Sequence, residues 1–112
     1  MGAGVAVTSN KDDNFSADDL KAELKARGVK LMAAPTGARI ELLRAKSPVA
    51  RRLLKEEKFA FDDAMRDEGY AVVMRGKAVY VIAESAAGVF YGAQTVKQLV
   101  QGNGKADRKS VV

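Results

Sequence analysis

Three pairs of adjacent carboxylates are the residues of this chain best suited to chemistry: Asp12-Asp13, Asp62-Asp63 and Asp67-Glu68. Two neighbouring acids can divide the acid and base roles when burial raises the pKa of one. All three pairs lie in polar stretches beside turn or helix-end residues, with nothing apolar on both sides to strip water from them. They are expected to cap helix ends and face solvent. Other routes to catalysis close for want of residue types. The chain has no histidine, the usual general base near neutral pH. It has no cysteine, which excludes disulfides, thiolate metal sites and a thiol nucleophile. A Ser or Thr nucleophile would need a lysine as base, and no Ser-x-x-Lys spacing stands beside a glycine-rich elbow. Gly2-Ala3-Gly4 lacks the rest of a dinucleotide fingerprint. Gly102-Asn103-Gly104-Lys105 follows a helix instead of opening one, so it aims no helix N-terminus at a phosphate. Tyr70 and Tyr80 could stack on RNA bases from a sheet face. No Gly-Phe-Gly-Phe type of strand accompanies them, and ordinary sheet packing is the expectation. No catalytic, cofactor-binding or metal-ligating residue is therefore assigned.

The 112 residues and 12.0 kDa allow one domain of ordinary size. A hydrophobic content of 47% makes the chain globular rather than disordered. Its apolar residues are small: 19 Ala and 13 Val against 4 Phe, 3 Tyr and no Trp. Small side chains favour thin layers in which helix and sheet backbones approach closely. The net charge is +5, which admits an acidic polymer as partner. The densest basic cluster, Arg51-Arg52 with Lys55 and Lys58, is interrupted by Glu56-Glu57, and a solvated helix face is the expected reading. No apolar run approaches the roughly 18 residues of a membrane span. The opening residues 1–7 are too short and uncharged for a secretion signal.

The elements that would position these groups follow from the local pattern. Val5 to Thr8 is a short strand. Ser16 is expected to N-cap a first helix, with Asp19 at the reciprocal position, Phe15 and Leu20 as a hydrophobic staple, and Ala17, Leu20 and Leu24 as its buried stripe. Gly28 ends that helix in a left-handed conformation. Val29 to Met32 and Ala38 to Leu43 read as strands. Ser47-Pro48 opens a second helix whose apolar side is Val49, Leu53 and Leu54. It frays within 55–63, where Phe59-Ala60-Phe61 fits either a helix end or a loop anchored by two rings. Tyr70 to Met74 and Ala78 to Ala83 form a hairpin across Arg75-Gly76-Lys77. Both of its strands are apolar on both sides, so both sheet faces are expected to be covered. The helices suffice for one face, which leaves the second to another domain.

A third helix starts near Ser85. Ala86, Val89, Phe90, Ala93, Val96 and Val100 recur at three- and four-residue steps. Gly88 and Gly92 lie on one side of it. Each glycine costs a helix interior roughly 1 kcal/mol relative to alanine, so two of them predict very close contact with the sheet or a neighbour. Ser110 to Val112 reads as a strand barely begun, and the chain is expected to be cut there rather than finished.

The stretch from Asp67 to Val100 carries a family resemblance. Glu68-Gly69-Tyr70 leads a strand, and Gly88, Phe90, Tyr91, Gly92, Gln94, Thr95, Gln98 and Leu99 stand on the helix. The pattern resembles the small non-catalytic domain that precedes the catalytic barrel in bacterial β-N-acetylhexosaminidases. It resembles glycoside hydrolase family 84 first, the hyaluronidase-like and O-GlcNAcase-like enzymes, and then the related domain of family 20. The resemblance implies an α+β fold, zincin-like, with a mixed β-sheet and two to three helices packed mainly on one face, and no metal or cofactor. It implies that residues 1–112 are a single accessory domain, truncated before a (β/α)-barrel that holds the chemistry on two neighbouring aspartates. Asp62-Asp63 and Asp67-Glu68 precede a strand of the small domain and are not those aspartates.

The chain is thus expected to be inactive alone, with the catalytic barrel of a glycosidase acting on N-acetylhexosaminides as partner in the same chain. Neither nucleic acid nor membrane is an expected partner. An uncovered sheet face would let the chain associate with itself. The compartment stays open, a secreted or periplasmic parent being compatible with the sequence. The rival reading is a free-standing basic module that binds an acidic polysaccharide or RNA.

Overall fold

The structure, a computed structural model, describes residues 5–31, 38–61, 67–100 and 109–111. Strand β1 (Ala6–Ser9) leads through a 3-10 turn at Lys11–Asp13 into α1 (Asn14–Ala26). Strand β2 (Arg39–Arg44) leads into α2 (Pro48–Glu56). The hairpin of β3 (Tyr70–Arg75) and β4 (Ala78–Ala83) is followed by α3 (Ala86–Val100) and β5 (Lys109–Val111). The strands form one mixed sheet in the order β1-β2-β4-β3-β5. β1 runs parallel to β2 and β2 parallel to β4, whereas β3 is antiparallel to both β4 and β5. This is the α+β architecture with a mixed sheet that the sequence predicts.

Of the three α-helices formed by the described residues, two share one face, and the chemistry of the core explains the choice. Ala17, Leu20 and Leu24 of α1 and Val89, Ala93 and Val96 of α3 are buried against Val7, Ile40, Leu42, Val72 and Val81. Glycine makes the α3 contact close. A Cβ on Gly88 would overlap the Gly69 carbonyl oxygen and come within 2.8 Å of the Ala83 Cβ. A Cβ on Gly92 would overlap Val81 Cγ1 and come within 3.3 Å of the Tyr70 ring. The helix backbone lies on the sheet itself, as the paired glycines predict.

The second face carries its own cover. Ala50 and Leu53 of α2 are buried against Val73, Ala78, Tyr80 and Ile82, with Leu43, Leu54 and Phe61 at the margin. The expectation of an uncovered face available for self-association is therefore corrected. The reason is the tight β2–α2 connection, in which Ser47 N–H donates to the Arg44 carbonyl at 2.9 Å and turns α2 onto the side opposite α1. Within α2 the buried positions are Ala50 and Leu53, while Val49, expected to be buried, is exposed.

Helix ends follow the sequence closely at some points and depart from it at others. Ser47 accepts from Ala50 N–H and Pro48 occupies the first turn, as expected. Gly28 has φ +83, and the Gly28 and Val29 amides donate to the Lys25 and Leu24 carbonyls, a Schellman ending. α2 ends with the same two bonds, from Lys58 and Phe59 to Lys55 and Leu54, but the left-handed position is Lys58 at φ +57. Phe59 and Phe61 then pack edge to face, with centroids 5.1 Å apart. This is the ring-anchored loop rather than a helix end.

The start of α1 is corrected. Asn10 caps the 3-10 turn by accepting from Asp12 N–H, the helix begins at Asn14, and Ser16 is buried inside it. Phe15 makes no staple with Leu20: Phe15 is exposed, while Leu20 is fully buried. The expected strand from Val29 is reduced to one parallel bridge between Val5 and Leu31. Met32 lies outside the described residues.

Candidate functional site

The first acidic pair is split by the fold. Asp12 is exposed, but Asp13 is buried at the junction of the 3-10 turn and α1. This corrects the expectation that nothing would desolvate it. Arg44, at the end of β2, reaches it with two parallel bonds: Nε donates to Oδ2 and Nη2 to Oδ1, both at 2.9 Å. The Asp13 carboxylate, first by these bonds, holds the Arg44 guanidinium above the ordinary arginine value. Both carboxylate oxygens are occupied by a fixed cation, so Asp13 is a structural anion rather than a base. Asp67 and Glu68 are exposed in the turn before β3, and the Asp67 carbonyl accepts from Ser85 Oγ, which also accepts from Gly88 N–H to cap α3. Asp62-Asp63 lies outside the described residues.

A crevice of about 250 Å³ opens at the carboxyl ends of β1 and β2. In open α/β sheets this is where ligands collect, at the point where connections leave to opposite faces. Here β1 leads to α1 on one face and β2 to α2 on the other. Four of the polar residues lining the crevice are already committed to the fold, however. Ser9 Oγ donates to Asn14, Asn10 accepts from Asp12, Ser47 caps α2, and Arg44 holds Asp13. Among the described residues there is no group of three or more His, Cys, Asp or Glu side chains able to hold a metal ion.

Tyr70 and Tyr80 are buried on opposite faces of the sheet and form no exposed stacking platform. The Tyr70 hydroxyl bonds Thr95 Oγ1, and the Tyr80 hydroxyl accepts from Arg39 Nη2 at 3.0 Å. Arg51, Arg52, Lys55 and Lys58 are exposed on and just beyond α2. Glu56 and Glu57 beside them pair with Arg75 of β3, at 2.9 and 2.8 Å. None of the helices formed by the described residues is long and apolar enough to cross a membrane.

Six of the residues that carry the family resemblance meet where α3 lies on β3. The Gly69 carbonyl sits against Gly88, the Tyr70 ring against Gly92, and the Tyr70 hydroxyl against Thr95. Gln94 donates to Asp19 of α1 at 3.0 Å, and Lys97 pairs with the same oxygen. The Lys97 bond, ahead of the others, holds the Asp19 carboxyl below the usual carboxylate range. The motif is therefore a packing device that seats α3 on β3 and ties it to α1.

Sequence reading missed two features: the Asp13–Arg44 pair, and a cluster of Phe15, Phe90 and Tyr91 at the start of α1 and α3. Phe15 stacks on Phe90 with centroids 5.9 Å apart, and Phe90 meets Tyr91 edge to face at 5.9 Å. The Phe90-Tyr91 dipeptide was a signal for the second, since only one of two adjacent helix residues can point at the sheet.

The family model described as glycosyl hydrolase family 20, domain 2, matches residues 1–111. It belongs to the family that the sequence resemblance puts second. None of the curated proteins matches the chain. Among solved structures, a family 138 enzyme targeting pectin rhamnogalacturonan II is similar at 18% identity and TM-score 0.65, over 97% of this chain and 12% of its own. CpGH84D is similar at 14% identity and TM-score 0.59, over 96% and 19%. The family 20 β-N-acetylhexosaminidase from Streptomyces coelicolor A3(2) is similar at 23% identity and TM-score 0.54, over 86% and 17%. The chain thus spans less than a fifth of the length of each, and the likeness is one of fold.

Proposed function

Because the chain belongs to the family of glycosyl hydrolase family 20, domain 2, we propose that it is the non-catalytic accessory domain of a β-N-acetylhexosaminidase-type glycosidase. The observation that carries this reading is the use made of the motif residues. Gly69, Tyr70, Gly88, Gly92, Gln94 and Thr95 join helices to sheet, and the buried acid of the first pair is neutralised by Arg44. A domain in which these six residues serve packing acts by folding and by supporting a neighbour. The neighbour in this reading is a (β/α)-barrel of the same protein, which supplies the acids that cleave the glycosidic bond. The narrower assignment to family 84 draws on the sequence pattern and on the fold shared with CpGH84D.

The test is to express the full product of the gene and assay it on an aryl N-acetyl-β-glucosaminide. Hydrolysis that disappears when barrel acids are replaced, and survives replacement of Asp12 and Glu68, is the expected result. A gene product without a barrel, or one inactive on every N-acetylhexosaminide, would overturn the reading.

A further inference from the structure

We infer that the ring cluster of Phe15, Phe90 and Tyr91 is the surface on which the catalytic domain of the same protein docks. This inference rests on the accessory-domain reading. Phe15 is 75% exposed and Tyr91 45%. Val49, the other large hydrophobic that the described residues leave exposed, stands alone on α2. The rings form a continuous unit through Phe90 and line a cavity of about 280 Å³ with Ala86, Ala87 and Asp12. The two alanines leave room beside the rings, so the surface is a shallow, open hollow.

Charge and rigidity favour this surface over its rivals. The outer side of α2 bears Arg51, Arg52 and Lys55, which would have to be dehydrated in an interface. In this hollow Asp13 is already neutralised by Arg44, and the exposed Asp12 carboxylate stands at the rim. The fitting partner surface is an apolar projection with a basic group beside it. The Asp19 contacts to Gln94 and Lys97 lock α1 to α3, so the rings are presented without further ordering.

The size of the patch selects a linked partner. A stable interface between separate proteins buries about 800 Å² on each side, more than three rings and two methyl groups offer. A partner in the same chain needs much less intrinsic affinity, because the link raises its effective concentration. The solved structures of this fold are five to eight times longer than the matched portion, to judge from the 12–19% of their length it covers, so each has ample chain to supply such a surface.

Hydroxyl-radical footprinting read by mass spectrometry tests the inference on the 112-residue chain and on the full gene product. Oxidation of Phe15 and Tyr91 should fall severalfold in the full product, while Phe59, on the opposite side of the sheet, reacts equally in both. Phe15→Ser with Tyr91→Ser should leave the melting temperature of the 112-residue chain unchanged and lower that of the full product. A full product that contains a barrel but leaves both rings reactive overturns the inference and spares the proposed function. A full product without a barrel overturns both. Protection of the rings in the 112-residue chain by added N-acetylglucosamine oligomers would overturn the inference in favour of a sugar platform.

Discussion

Asp13 and Arg44, 31 residues apart, meet in a two-point ion pair that fastens the start of α1 to the end of β2. The Asp13 side chain is 1% exposed and that of Arg44 28%. Removing one partner of a buried pair strands the other charge and costs about 3–5 kcal/mol, whereas replacing both by apolar groups is often neutral. Arg44→Met should therefore destabilise strongly, and Asp13→Leu combined with Arg44→Met should recover much of the loss. Urea unfolding of the two variants beside the wild type measures both effects.

The two helix glycines predict a ranking. At Gly88 the obstacle to a methyl group is the Gly69 backbone carbonyl, which cannot rotate away. At Gly92 the nearest obstacle is a Val81 methyl group, which yields at the expense of its rotamer. Overpacking typically costs about 1–3 kcal/mol. Gly88→Ala should lie at or beyond the upper end and Gly92→Ala below it, while Gly92→Leu should be severe. Thermal melts of the variants report the order.

Lys58 holds a position that favours glycine. A left-handed conformation costs a residue with a side chain roughly 1–2 kcal/mol, partly offset in the comparison by the greater freedom of glycine in the unfolded chain. Lys58→Gly should raise stability by about 0.5–1 kcal/mol, and Gly28→Lys should lower it. Denaturant midpoints check both signs.

Asp19 gives a pH dependence. The Lys97 bond depresses its pKa in the fold, so the folded chain binds its proton less readily than the unfolded chain does. The stabilisation is present above the unfolded value, about pH 4. It is lost as pH falls through the lower folded value. The group is partly exposed, which limits its contribution to about 0.5 kcal/mol. The stability gap between the wild type and Asp19→Asn should close on acidification, and a gap independent of pH would contradict the assignment.

Features governed by neighbouring residues were legible in the sequence. Gly28 and Ser47-Pro48 mark helix ends because only particular residues satisfy those backbone groups. Gly88 and Gly92 announce close packing because glycine is otherwise unfavourable inside a helix. Features governed by distant residues were not. Asp13 is buried only because β2 brings Arg44 to it. Phe15 sits as a staple residue should, but the 3-10 turn starts the helix earlier and rotates it outward. The side of the sheet chosen by α2 depends on the geometry of a short connection rather than on the helix's own apolar stripe. The candidate chemistry was legible mainly by elimination, from the missing histidine and cysteine.

The most direct measurement is an assay of the purified 112-residue chain on an aryl N-acetyl-β-glucosaminide, with folding verified in the same sample. The account predicts no release of the aryl alcohol above the uncatalysed rate. Turnover by the folded chain, abolished by replacing one of its own acids, would contradict it.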